Sequence, residues 1–456
     1  MGMNENFRYL SVGLPGDIER RKQAGDFERA IRLIDERLSG NVPEALKKCM
    51  IVERELMSRI TADYPFTKAQ ALEQIHRDCP DFTEAEFDRY VDEGKIDWIY
   101  VNGEERYFEY FYPTLVKAWP EYTSRAGIVK KEKVDSDKFY EDQAIAQMKE
   151  KGKVSWRFQV RATIRLKDEY FVPGKVIRAY LPIPSNGRQI SDIVIHSHSD
   201  YPCTIAPVDA PQRTICFETA LNENDTFFVE YSYTNTVSYN DAYNGTGIPG
   251  TYDFDLEELQ PHVVFTPYIQ ELVKSLVGEE KDPLKKARIF YDFITKTVRY
   301  SYMREYFGLT QIAENCARNL RGDCGVQGLL FITLCRAAGI PARWQSGLTS
   351  TPNGMGPHDW TEFYVEPYGW LFADPSYGGG AHRKGNELRR QFYFGNLDPF
   401  RMVANTEFQA DLIPDMRYWR ADPYDNQTGE MEYEDGALSR ADYKRTKEVL
   451  SAEQLF

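Results

Sequence analysis

Gly322-Asp323-Cys324-Gly325-Val326-Gln327-Gly328-Leu329-Leu330-Phe331-Ile332-Thr333-Leu334-Cys335-Arg336-Ala337 runs directly into Ala338-Gly339-Ile340-Pro341-Ala342-Arg343. Val326, Leu329, Leu330, Thr333, Leu334 and Ala337 recur at helical spacing and mark one buried face. Gly339 and then Pro341 stop the helix. Asp323 is placed to cap its start, which puts Cys324 in the first turn. There the unsatisfied N–H groups and the positive end of the helix dipole stabilise a thiolate. A thiol attacks as its anion, so this is where a nucleophilic cysteine belongs. Cys335, on the same helix, and Cys316, in an expected loop or turn upstream, read as buried structural thiols.

A cysteine nucleophile needs a base, and the chain has six histidines, at 76, 196, 198, 262, 358 and 382. His358 opens His358-Asp359-Trp360-Thr361-Glu362-Phe363-Tyr364-Val365-Glu366, whose alternation suits a strand. A turn at Pro367-Tyr368-Gly369 and a second strand, Trp370-Leu371-Phe372-Ala373-Asp374, follow. A hairpin with Val365 opposite Leu371 or Phe372 brings His358 within reach of Asp374. The carboxylate then fixes the imidazole tautomer and stabilises the imidazolium.

These residues resemble the transglutaminase-like superfamily of bacterial type. The resemblance rests on Gly322-Asp323-Cys324, on Arg336-Ala337 through Gly339-Ile340-Pro341-Ala342-Arg343, and on His358-x-Trp360-x-Glu362-x-Tyr364, Gly369-Trp370 and Asp374-Pro375. It is close over about 285–382. Ala179-Tyr180-Leu181-Pro182-Ile183-Pro184 is similar to the N-terminal β domain of such proteins, and Phe394-Gly395-Asn396-Leu397-Asp398-Pro399-Phe400-Arg401 to one of their C-terminal elements. The family implies a papain-like core with Cys324 as nucleophile, His358 as general base and acid, and Asp374 as orienter. It implies a cysteine-dependent hydrolase, a peptidase or amidase working through a thioester on a peptide or small amide. The alternatives are an acyltransferase, of the crosslinking or amine-transfer kind, and a silent binding or scaffold protein on the same fold. A carbohydrate-binding protein is a more distant reading. The N–H of Cys324 is the expected oxyanion donor. Tyr302 is the candidate for the second, against the plainer reading of a packed strand aromatic. Asp359 stands where the family usually carries a small residue, and its charge is expected to perturb the imidazole. Cys324, His358 and Asp374 form a conceivable zinc set, but the triad reading calls for no metal or cofactor.

The flanks complete a multidomain α+β expectation: a mostly helical region over 1–150 with a hairpin, a β-sandwich over 155–236, a papain- or transglutaminase-like catalytic domain over 260–400, and an irregular acidic tail over 401–456. Helices are expected over 26–38, capped by Asp26, and over 43–60, 67–76 and 83–91. Thr83-Glu84-Ala85-Glu86 forms a capping box, and Asn102-Gly103 turns a hairpin. Residues 128–153 read as an exposed helix or linker. Period-two segments over 155–166, 175–181, 190–197, 214–218 and 226–233 form the sandwich. A short helix is expected over 441–450.

Two helices followed by a hairpin fit a winged helix, but residues 61–110 hold 13 acidic and 5 basic side chains. That sign repels nucleic acid, as does the chain's net −14. A packing or lid module is the better reading. The run over 421–442 holds seven carboxylates against Arg440 and reads as a solvated surface. Its spacing is not that of a calcium loop. No stretch approaches the roughly 18 apolar residues of a membrane helix. Seven scattered cysteines without a Cys-x-x-Cys pair, and an N-terminus without a secretory pattern, place the protein in the cytoplasm. Oligomeric state is not encoded in any pattern we recognise.

Overall fold

A computed structural model describes residues 3–128 and 137–456. Lys130 to Lys133, the core of the expected linker, lie outside the described residues. From Asp137–Lys151 onward the chain is helical before entering the first sandwich strand.

The N-terminal region folds around two small cores. Helices Gly16–Gln23, Phe27–Leu38 and Glu44–Asp63 enclose Ile18, Phe27, Ile34, Met50 and Met57. Helices Lys68–His76, Glu84–Asp92, Phe111–Ala118 and Pro120–Arg125 enclose Ile75, Phe87, Tyr107, Phe111 and Leu115. The Thr83–Glu86 capping box forms as expected, and Thr67 with Gln70 makes a second. Asp26 precedes its helix but makes no side-chain cap; its carboxylate is taken by Arg21 at 2.7 Å. The hairpin Trp98–Val101 with Glu104–Tyr107 turns through Asn102 and Gly103, both with positive φ. Its tip is clasped. Asn102 N–H donates to the Gly25 carbonyl at 2.7 Å, and Gly25, at φ +71°, lies where any Cβ would overlap the Tyr100 carbonyl. A hairpin held this way is a packing element.

Two sheets form the sandwich. One runs Tyr443–Gln454, Lys153–Leu166, Phe227–Ser238, Ile190–His198. The other runs Gly436–Ala437, Glu430–Tyr433, Val176–Pro182, Thr214–Ala220, Cys203–Ile205. The tail expected to be irregular therefore supplies three strands to the sandwich and a fourth, Arg401–Asn405, to another sheet, and the expected helix over 441–450 is part of the longest of them. Its side chains alternate between the sheet and solvent, the period of a strand. The acidic run is not a solvated surface either. Asp425, Glu430 and Glu432 are buried. Glu430 meets Arg420 at 2.9 Å, and Glu432 accepts from the N–H groups of Arg417 and Tyr418. Buried carboxylates need such partners, and these come from the preceding loop.

Between the sandwich strands in sequence lies a third sheet, all antiparallel, in the order Phe394–Gly395, Gly369–Ala373, Gly354–Val365, Ala342–Thr351, Arg401–Asn405. The Cys324–Ala337 helix packs on it, buried from Gly325 through Cys335. One continuous apolar core joins this unit to the sandwich; Trp156 and Phe158 meet Phe400 at ring distances of 5.2 and 6.3 Å.

Candidate active site

Asp323 caps the central helix, accepting from Val326 N–H at 3.1 Å, so Cys324 is the first helical residue. Behind it the helix is apolar on all sides, as a core helix must be. Cys335 and Cys316 are both buried, Cys316 on the helix Ile312–Asn319 rather than in a loop.

His358 lies on the strand Gly354–Val365 and Asp374 directly after its neighbour Gly369–Ala373, in a register two to three residues from the expected one. Val365 pairs with Gly369, because the turn is only Glu366-Pro367-Tyr368. His358 still reaches across: its Nε2 lies 2.7 Å from Asp374 Oδ2. Both side chains are buried. Asp374 serves three neighbours. It accepts from the imidazole, caps the helix Pro375–His382 through Tyr377 N–H at 2.9 Å, and faces Arg401 at 3.3 Å. Burial alone raises such a carboxyl; the charges of His358 and Arg401 outweigh it and hold Asp374 below the usual range. Arg401 is itself fully buried, with Asp398 as second partner at 3.0 Å. The imidazole lies over Tyr377 at a ring distance of 4.6 Å.

The thiol has a different partner. Cys324 Sγ donates to Asp359 Oδ2 at 3.1 Å. The other oxygen of Asp359 accepts from the Gln427 side chain, which also reaches the His358 carbonyl at 3.3 Å. Gln427 comes from the loop before the sandwich strand Glu430–Tyr433. Asp359 lies in a cluster of buried carboxyls. Burial lifts Asp323 to about 6, against the donated Tyr306 hydroxyl, and Asp425 to about 7, with Asp422 adding repulsion. Burial and the charges of Asp425 and Asp323 raise Asp359. The same burial, with Asp359 and Asp323 beside it, raises the Cys324 thiol. The helix start argued for a lowered thiol; the buried carboxyls reverse that balance. Asp359 thus acts on the cysteine, where sequence reasoning had it act on the imidazole.

Tyr302 sits in an aromatic group with Tyr110 and Tyr300, at ring distances of 5.9 and 5.7 Å, beneath the Lys117 ammonium. The tyrosines that feel the charge of Cys324 are Tyr300 and Tyr306. His382 pairs with Glu387 at the surface, and buried His262 contacts the Tyr424 hydroxyl at 2.8 Å; neither joins the site.

Residues 270–375 match the family model described as the Transglutaminase-like superfamily. This stretch is a transglutaminase-like domain. It spans the Cys324 helix and both strands that carry His358 and Asp374. An uncharacterized protein of Haemophilus influenzae is 26% identical over 197 residues, covering 36% of this chain. The match takes in 53% of that relative, so the chain spans about half its length. Among solved structures, one titled a putative cysteine protease from Cytophaga hutchinsonii is similar over 67% of this chain and 91% of its own, with 15% identity and a TM-score of 0.43. The periplasmic domain of TgpA from Pseudomonas aeruginosa is similar over 54% of this chain and 96% of its own, with 15% identity and a TM-score of 0.27. Within the described residues, no helix is long and apolar enough to cross a membrane.

Proposed function

We propose that the protein is a cysteine-dependent hydrolase, a peptidase or amidase, with Cys324 as nucleophile, His358 as general base and acid, and Asp374 as orienter. The observation that carries this reading is the buried His358–Asp374 pair at 2.7 Å, on the strands packed against the helix that Cys324 opens. In the proposed reaction His358 takes the thiol proton as Cys324 Sγ bonds to the substrate carbonyl carbon. The Cys324 N–H receives the developing oxyanion. The imidazolium gives its proton to the amine as the C–N bond breaks, leaving a thioester. Water, deprotonated by His358, then adds to the thioester; the C–S bond breaks, and the acid leaves with the thiol restored. Transfer to an amine is the same second half-reaction with another nucleophile. Seven free cysteines suit a reducing compartment, and we assign the protein to the cytoplasm.

A second reading, a silent binding protein, draws on the bond from Cys324 to Asp359 in place of His358. One experiment separates them: turnover of a peptide and amide library by the intact chain and by Cys324→Ala. Hydrolysis lost in the variant supports the enzyme; full turnover in the variant overturns Cys324 as nucleophile.

A further inference from the structure

A cavity of about 600 Å³ lies where the N-terminal region, the segment around Glu305 and the C-terminal segment meet. Asp63, Glu109, Tyr110, Glu305, Arg440 and Arg445 are in its wall. Its charges are only partly matched: Arg445 and Asp442, both in the wall, have no ion pair among the described residues. Arg59, also in the wall, pairs with Glu55 at 2.7 Å. Arg440 pairs with Glu305 at 3.3 Å and with Asp422. Arg445 donates to Thr428 Oγ1 at 3.0 Å.

Two further carboxyls are unpaired. Asp63 is only 4% exposed, and its Oδ2 is buried with no hydrogen-bond partner. Arg304 and Arg440 attract Asp63 through space but form no ion pair with it, and Arg304 Nε is itself buried without a partner. Glu109 likewise has no ion pair among the described residues, and burial raises it as it does Asp63. A carboxyl left unpaired in a buried wall costs stability unless something fills its place. With five carboxyls against three guanidiniums, the wall suits a cation. Among the described residues no group of three or more His, Cys, Asp or Glu is arranged to hold a metal ion, which leaves an organic cation as the candidate. Tyr110, 46% exposed and leaning on Tyr302, offers an aromatic face of the kind that attracts ammonium groups.

We propose that this cavity binds an alkylammonium group, with Asp63 and Glu109 as counter-charges and Tyr110 as the aromatic wall. The site is built largely from the N-terminal region, outside the transglutaminase-like domain, and does not depend on the triad assignment. A short run of neighbours links it to the thiol: Glu305 is in its wall, and the next residue, Tyr306, donates to Asp323 beside Cys324. The ammonium belongs either to a free small amine or to a lysine side chain on a peptide.

Calorimetric titration of the intact chain at pH 8 tests this, with 1,5-diaminopentane and N-acetyl-lysine methylamide as probes. 1-Pentanol and N-acetyl-norleucine methylamide are the uncharged comparators. At least one amine binds and its comparator does not. Asp63→Asn and Glu109→Gln each weaken binding by about tenfold or more, the worth of a charge-assisted contact. Cys324→Ala binds as the parent does, whatever becomes of the proposed hydrolysis. The diamine binding alone identifies a free amine; the lysine derivative binding identifies a peptide side chain. Glu109 is the more exposed position, so Glu109→Gln reads out even if Asp63→Asn perturbs folding. No binding by either amine, equal binding of the comparators, or unchanged affinity in Glu109→Gln overturns the proposal.

Discussion

Replacing Asp63 by asparagine keeps the side chain's shape and removes its charge. Burial, with repulsion from Glu305 and Glu109 and attraction from Arg304 and Arg440, lifts the carboxyl from an ordinary 3.8 to about 7. The folded value lies above the unfolded one, so near pH 3 both states hold the proton and the group is neutral to folding. As pH rises past 3.8 the unfolded chain releases its proton first, and stability falls until the folded carboxyl also ionises, near 7. About three pH units at about 1.4 kcal/mol each put the loss at about 4 kcal/mol above that point. A buried amide and a buried protonated carboxyl lack partners alike. Asp63→Asn should therefore match the parent near pH 4 and exceed it by up to about 4 kcal/mol at pH 8. Hydrogen exchange of peptides spanning 44–128, read by mass spectrometry at both pH values in the intact chain, measures this locally. A variant no more stable than the parent at pH 8, or one with the same advantage at pH 4, would refute the reasoning. A saturating amine ligand should narrow the gap, because it binds the parent more tightly and so stabilises it more.

Three further outcomes follow from the site. Asp359→Asn removes a negative charge that accepts the thiol's hydrogen bond and disfavours the thiolate, so iodoacetamide should label Cys324 at lower pH than in the parent; a profile that stays put or moves upward sinks the argument. Asp374→Ala strips a partner from His358 and from fully buried Arg401 and removes a helix cap, and is expected to cost about 3–5 kcal/mol in urea unfolding at pH 7. Because Asp374 is held below its ordinary range, that contribution is present at neutral pH and fades only as pH falls through the folded value. Gly325→Ala places a Cβ over the Tyr306 hydroxyl and 2.8 Å from Asp359 Oδ2. It should change the labelling rate of Cys324 while leaving that of half-buried Cys203 alone.

The residues proposed as the triad could be picked out because each announces itself within a few residues: a cap before a cysteine, an alternating strand, a strand ended by Asp-Pro. The strands of the sandwich up to 238 and the Thr83 capping box were legible for the same reason. What sequence reasoning missed acts across long separations. Gln427 reaches Asp359 from 68 positions away, and Arg401 reaches Asp374 from 27. The acidic run read as solvated because local pattern shows carboxylates and hides the loop that wraps them. The hairpin register slipped because it depends on how tightly residues 366–368 turn, which no apolar pattern records. Asp359 was visible as an oddity, but only the packed strands show that it points at the sulfur.

The sandwich is assembled from both sides of the transglutaminase-like stretch. Lys153–Leu166 pairs on one edge with Phe227–Ser238 and on the other with Tyr443–Gln454, nearly three hundred positions later. During synthesis the first-made strand must wait, one flank bare, until the whole transglutaminase-like unit has left the ribosome. The loop that precedes the last strands also delivers Gln427 to Asp359. Completing the β-structure and dressing the thiol are then one event. A nascent or clipped chain lacking that return would hold its cysteine without this covering. The order of translation thus sets the order in which the reactive centre is finished.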